Sequence, residues 1–474
     1  MDNFWRERLS RSRKGTQWYH VLQILTCYSL IDPGSEWRLH RQWYDGSAMG
    51  DLLGEDLRVA QINTLYRCMD KLQEHKDELF KFLRWRWGEL FEVSFDVLLY
   101  DLTSTYFECD PPEHESKKKF GYSRDKRSDC VQVVIALIVT DDGFPIAYEV
   151  LAGNTKDDQT LADFLEKIER LYGKADRIWV MDRGIPTEET LQKMRESDPP
   201  VQYIVGTKRG KLTKLEQRFL ELDWKKVKES VDVKILEEDG DMYVLARSAQ
   251  RANKERAMRK RKLKKFWRRL HELREMKCLT RDKLLRKLGA AEKEAGLAAR
   301  LVSVTVPGKD ELVSSETFTF SLDRQRIKNA RQREGKYIIR SNSHGEDGAV
   351  LWRRYIQLTE IELAFRNLKS DLNIRPIFHQ RDDRIESHIF LRFLAYCIHV
   401  TLKKRLEAHA PGTTPREVLE KFTAMQMVDV HIPTTDGREL ILSRYTQPEK
   451  DQKILLDLLS LQLPKQPPPK ISRL

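Results

Sequence analysis

Val97-Leu-Leu-Tyr-Asp101 and Arg177-Ile-Trp-Val-Met-Asp182 are two short, mainly apolar runs, each closed by an aspartate. Runs this short, rich in Val, Ile, Leu and aromatic residues, read as buried strands rather than helices. A carboxylate closing such a strand is aimed out of the core at a fixed point. Between them, Val131 to Val139 is dense in β-branched residues, Asp141-Asp-Gly143 forms a hairpin turn, and Pro145 to Leu151 is the return strand. Asp158 to Tyr172 places Leu161, Phe164, Leu165, Ile168 and Leu171 on one helical face. Thr187 to Met194 predicts a second helix and Tyr203-Ile-Val205 a fifth strand. The predicted order is three strands, helix, strand, helix, strand, which is an α/β fold.

Outward from this block the pattern changes. Residues 1–95 read as a helical N-terminal region, with Val21, Leu22, Ile24 and Leu25 as one apolar stripe and Ile62, Leu65, Met69 and Leu72 as another. Ile31-Asp-Pro-Gly-Ser35 is a turn leading into a helix start. Residues 96–206 form the first part of the α/β domain, and residues 207–335 an insertion expected to be mainly β. Its expected strands include Val231 to Leu236 and Met242 to Ala246, around Glu238-Asp-Gly240. Residues 250–300 are crowded with Arg and Lys at helical spacing, and Val302 to Val306 reads as another strand. Residues 336–410 hold the second part of the α/β domain: a strand from Lys336 to Arg340, one strong helix from Leu351 to Leu372, and an apolar helix from Ile385 to Leu406. Residues 411–474 are a C-terminal region ending in a Pro-rich tail, Pro464 to Lys470, expected to lack structure.

Composition narrows the function. With 85 Lys and Arg against 73 Asp and Glu among 474 residues, the formal charge is +12, which favours polyanionic partners through counterion release. The six cysteines, including Cys278, lie far apart with no C-x-x-C pair, which argues against a zinc finger or a disulfide framework. No uninterrupted apolar run approaches the roughly 20 residues of a membrane span, and the N-terminus has no apolar signal core. The expected setting is cytoplasmic, with no membrane. No G-x-x-x-x-G-K-[ST] motif is present, so no ATP use is expected.

Asp101 and Asp182 converge if their strands are neighbours, and converging carboxylates repel unless a hard cation such as magnesium or manganese neutralises them. A third acid, Glu362, lies on the expected 351–372 helix. Lys369 follows it by seven residues, Tyr355 precedes it by seven and Arg366 follows by four, so on a continuous helix these groups share a face. Each aspartate taken alone reads better as a plain strand end beside a turn, and Glu362 on spacing alone as a solvated ion pair to Arg366.

Tyr355, Glu362 and Lys369 resemble the Y-R-E-K signature of insertion-sequence transposases of the DDE class, with Leu358 at the position of the Arg. The Tyr-Asp-x-Thr context of Asp101, the Met-Asp-Arg-Gly context of Asp182, and Arg375-Pro-Ile-Phe-His379 with the later His388 are similar to that family as well. The likeness runs in order over about residues 15–410. It implies a bacterial enzyme with a ribonuclease H-like catalytic domain interrupted by a β-rich insertion. Catalysis and metal binding would fall to Asp101, Asp182 and Glu362 with two Mg2+ or Mn2+ ions, and DNA contacts to Lys369, Tyr355 and Arg366. The partners implied are the element's terminal inverted repeats and target DNA, bound by a homodimer in a synaptic complex. The start of the chain resembles the interior of longer relatives, so an upstream DNA-binding part is expected to be missing. Two rivals share these features: a nuclease of the same fold without strand transfer, and a non-catalytic DNA-binding remnant. Phe266 and Trp267 on the basic helix are placed to line DNA or to sit in a solvated helix pair. Trp224 fits a flipped base or a core, and His379 and His388 fit a phosphate or helix packing.

Overall fold

The computed structural model describes residues 1–13, 15–157, 160–207, 215, 217–276, 280–309 and 311–473. The first residues of the helix expected from Asp158, part of the 210–247 stretch, and Cys278 lie outside the described residues. The chain divides into two compact units, Met1–Ile204 with Arg354–Leu474, and Val205–Arg353.

The first unit is built on strands β1 (Val97–Phe107), β2 (Val131–Thr140), β3 (Pro145–Ala152), β4 (Ile178–Met181) and β5 (Gln202–Gly206), the last lying at its boundary. Their order in the sheet is β3-β2-β1-β4-β5. β1 and β2 are antiparallel, as are β2 and β3, while β1 and β4 run parallel. Every residue of β2 is buried, which is why Val133 to Val139 reads as one apolar run. Gly143 makes the β2–β3 turn at a φ of +87°, a conformation in which a side chain is strained.

Helices Trp18–Ile31, Ile62–Leu72 and Lys76–Phe91 make up most of the N-terminal region. At the expected turn, the Ser35 side chain caps a short helix, Glu36–Arg38, by accepting from the Arg38 N–H. The long helix Asp382–His409 packs against the helices Trp18–Ile31 and Ile62–Leu72. By length and composition it could cross a membrane, but 78% of its most apolar window is buried in the protein, as in a core helix. Its Phe393 stacks on Tyr148 of β3 with ring centroids 4.0 Å apart. The Pro-rich tail departs from expectation. Arg444 donates to the Pro467 carbonyl at 2.8 Å, and residues Lys470–Arg473 add a strand beside Arg438–Tyr445.

Among the described residues, the second unit holds six further strands and more helix than its alternating stretches predict. β6 (Lys225–Lys228), β7 (Val231–Glu238), β8 (Asp241–Ser248) and β11 (Lys336–Ser341) pair in the order β11-β8-β7-β6, and β9 (Val302–Thr305) pairs with β10 (Thr319–Leu322). Between them runs the basic helix Ala249–Glu275, 27 residues long, followed by Arg281–Ala295. Phe266, Leu270 and Leu273 on one face of that helix are buried against Leu284 and Leu288 of the next. This apolar stripe is what the density of Lys and Arg conceals. Phe266 therefore packs inward, and Trp267 meets Phe320 edge-on at 5.0 Å. Trp224 is partly buried, with Lys234 and Arg247 over its ring.

Candidate active site

Asp101 does not end its strand, as the sequence suggests. β1 continues through Leu102-Thr-Ser-Thr-Tyr-Phe107, with Thr103, Ser104 and Thr105 buried and paired to Ile135, Val134 and Val133. These small hydroxyl-bearing residues look like a turn in sequence, but β-branched threonines sit well in a paired strand. Asp101 thus lies mid-strand, opposite Leu137 of β2. On its other side the parallel partner stops: Tyr100 pairs with Met181, the last residue of β4, and Asp182 follows directly. The two aspartates therefore occupy equivalent positions on neighbouring parallel strands, Asp101 on a strand that goes on and Asp182 where its strand has ended.

Burial pushes the Asp101 carboxyl up to about 7. The Leu102 N–H, donating at 2.8 Å, and the charge of Arg124 pull the other way, while Asp182 and Asp157 push it higher. A desolvated acid held beside other acids has the electrostatics of a site for a hard cation. Arg124 and Asp157 themselves form an ion pair, and the Arg124 N–H donates to Ser104 on β1 at 3.2 Å. The strap that carries Arg124 is packed tightly. A Cβ on Gly121 would lie 2.0 Å from the Gly153 carbonyl oxygen, and one on Gly153 would lie 2.0 Å from that of Gln132.

The expected 351–372 helix is not continuous. It is formed by Gly348–Ile356, then Leu358–Arg366, then a π-helical turn over Asn367–Asp371. The turn at Gln357 and the wider π-helical turn interrupt the regular spacing on which a shared face of Tyr355, Glu362 and Lys369 is reckoned. Helix Leu358–Arg366 packs against β1 and β2 through its buried Ile361, Ala364 and Phe365. Glu362 and Arg366 are exposed on it, and Tyr355 is partly buried. Glu362 is not among the charges acting most strongly on Asp101.

Lys369 turns inward, its ammonium 2.8 Å from Asp125, which also pairs with Arg375. Burial lowers the Lys369 pKa; Asp125 counters this, while Arg375 and Arg124 add to the lowering. Arg124 thus stands electrostatically between the Asp101 acids and the Lys369–Arg375 cations. Arg124 and Asp157, which act on Asp101, and Asp125, which holds Lys369 nearby, are the residues of the candidate site and its surroundings that reasoning from strand ends misses. The available signal was the long charged connection between β1 and β2, with Ser123-Arg-Asp-Lys-Arg127 far too polar and too long for a hairpin turn. His379 and His388 meet neither this group nor each other alone: both approach Glu36.

No curated protein matches the chain. Among solved structures it is similar to a piggyBac transposase, seen by cryo-EM in a synaptic complex with hairpin DNA. The TM-score is 0.39 and the identity 9%, over 97% of this chain and 75% of that one. The family model of the transposase DDE domain matches residues 99–398, more than half of the chain and the whole span from β1 to the helix bearing His388, and the chain belongs to that family.

Proposed function

We propose that the protein is an insertion-sequence transposase of cut-and-paste type, acting through Asp101, Asp182 and Glu362. The observation that carries this reading is the pairing of β1 with β4, which sets Asp101 beside Asp182 and leaves the Asp101 carboxyl desolvated among acids. The strand order β3-β2-β1-β4-β5 supports a ribonuclease H-like catalytic domain, and the insertion read at residues 207–335 falls within the second unit, Val205–Arg353. Tyr355, Glu362 and Lys369 are assigned to the Y-R-E-K signature, with Leu358 at the place of its Arg.

Mg2+ or Mn2+, two ions on this reading, would be held by the three carboxylates and would supply activation of an attacking oxygen and stabilisation of the leaving one. The chain's own residues have separate tasks. Asp101 and Asp182 offer charge from rigid strand positions, and Glu362 offers it from a helix braced on the same strands. Arg124 is placed to hold a phosphate beside Asp101 and to compensate the negative charge that gathers there. Arg366 is exposed for backbone contact, while Lys369 reaches DNA only by leaving Asp125. Strand cleavage at the element's end frees a 3′-hydroxyl, which then attacks a second phosphodiester, in the opposite strand as a hairpin or in target DNA. A homodimer holding both inverted repeats would complete the synaptic complex.

The test is purified protein with magnesium and DNA bearing the inverted repeats that flank the gene. Nicking and joined products are expected, and Asp101→Asn, Asp182→Asn and Glu362→Gln should each abolish them while DNA affinity stays within about twofold, since that affinity rests on many Lys and Arg contacts. Cleavage without joined product would reduce the protein to a nuclease. Binding without cleavage would make it a DNA-binding remnant.

A further inference from the structure

Glu36, His379 and His388 come together from distant parts of the chain. Glu36 opens the short helix after the first N-terminal turn, His379 follows the Arg375-Pro-Ile-Phe segment, and His388 lies near the start of the long helix Asp382–His409. The Glu36 Oε1 lies 3.3 Å from His388 Nδ1, and its Oε2 lies 3.3 Å from His379 Nε2. One ligand atom from each of the three falls within 4.8 Å of the other two. Glu36 is 5% exposed and His388 4%.

Hydrogen bonding alone does not account for this group. His379 Nε2 is buried and close to the carboxylate, yet it has no hydrogen-bond partner among the described residues, because its approach lacks the required geometry. His388 Nε2 is likewise buried without a partner. Around a tetrahedral metal with bonds of about 2.0–2.1 Å, ligand atoms stand roughly 3.3–3.4 Å apart. Each histidine nitrogen lies 3.3 Å from a different oxygen of Glu36, long for a charge-assisted hydrogen bond, which runs nearer 2.7–2.9 Å. A small inward shift of the three groups would bring one oxygen and both nitrogens to the tetrahedral spacing.

We propose that Glu36, His379 and His388 bind one transition-metal ion of the zinc class, at a second site separate from the acids on β1 and β4. Two imidazoles and one carboxylate suit zinc and its neighbours, while magnesium prefers an all-oxygen set. Arg392, fully buried and donating to the Gly34 carbonyl at 2.8 Å, opposes any cation here through its charge. Tyr66 packs edge-on against His379 at 5.6 Å and, with Tyr28 near Arg392, completes the polar surroundings. The site ties the 32–38 turn to the segment entering the long helix, so its role is to fasten the N-terminal helices to the rest of the first unit. None of its ligands belongs to the proposed triad, so it stands or falls apart from the DNA-cleaving reading.

Untagged full-length protein, stripped with a chelator and dialysed, would be titrated with Co2+ and then with Zn2+. About one cobalt per chain, with the intense visible absorption of a tetrahedral site and displacement by zinc, is expected. Asp101→Asn should leave the tetrahedral absorption unchanged, whereas His379→Ala, His388→Ala and Glu36→Gln should weaken the binding it reports by at least roughly 100-fold, the scale reached by losing even an outer-shell partner. His388→Cys should keep the metal and add a thiolate-to-cobalt charge-transfer band. If the histidine variants do not fold, the wild-type titration decides alone: no tetrahedral cobalt spectrum overturns the proposal and leaves a Glu–His packing cluster. Uptake that persists in folded His379→Ala and His388→Ala overturns it as well.

Discussion

Two carboxylates 24 residues apart, Asp101 and Asp125, live under opposite regimes (125 − 101). Asp125 is buried between Lys369 and Arg375, so its charge is met inside the protein. Asp101 is desolvated beside Asp182 and Asp157, with Arg124 already engaged by Asp157. One acid holds the fold together. The other is a local destabilisation that no partner among the described residues offsets, and on the proposed function a metal and a phosphate would relieve it from outside.

The comparison breaks most sharply at Asp125. Asp125→Ala would leave Lys369 and Arg375 buried without their partner and should cost about 3–5 kcal/mol, measured by urea unfolding. A loss under about 1 kcal/mol would mean that the cluster is solvated. Asp101→Asn should act with the opposite sign. In chelator at pH 7 it should stabilise the protein by on the order of a few kcal/mol, because it removes a carboxyl whose charged form is disfavoured in the fold. The pH dependence carries the same sign. With the folded value pushed up to about 7, native Asp101 keeps its proton where the unfolded chain, near 3.9, has lost it. That contribution is full below about 4 and lost as pH rises to about 7. Metal-free wild type should therefore lose stability over this range relative to Asp101→Asn, and parallel melting curves across it would contradict the assignment.

Gly153→Ala tests the strap between the two acids. Its Cβ would meet backbone oxygens of Gln132 and Lys119 at 2.0 and 2.3 Å. It should cost about 1–3 kcal/mol and displace Arg124, lowering cleavage while metal binding persists. Normal stability with normal cleavage would show that the strap yields freely. The smallest effect belongs to Glu362→Gln. On an exposed position it should shift stability by no more than about 0.5 kcal/mol, so any loss of cleavage is chemical. A large drop in melting temperature would instead make Glu362 structural.

Sequence periodicity located β1, β2, β3 and β4 because each is an apolar run bounded by polar residues, and strand ends pointed to Asp101 and Asp182. It placed the end of β1 too early, since Leu102-Thr-Ser-Thr105 is polar in composition yet buried in fact. It read Leu351 to Leu372 as one helix, because neither the break at Gln357 nor the π-helical turn changes the apolar spacing enough to show. The inward turn of Lys369 depends on Asp125, 244 residues away, and the Glu36 cluster on a separation of 343 (379 − 36), contacts that no local pattern encodes. The aromatic residues of the basic helix were visible, but the stripe of Phe266, Leu270 and Leu273 was hidden among cations.

The placement of the second unit between Asp182 and Glu362 also has a consequence for synthesis. Asp182, the second of the paired acids, leaves the ribosome 180 residues before the third (362 − 182). At ordinary elongation rates, a nascent chain holds that pair for roughly 10–35 s before Glu362 is made. On the proposed triad, a growing or prematurely ended chain has two carboxylates in register and cannot cut. On that triad, the order of the genetic message delays competence for DNA cleavage until just over three quarters of the polypeptide exists, and any stop codon within residues 183–361 yields a product that lacks the third acid.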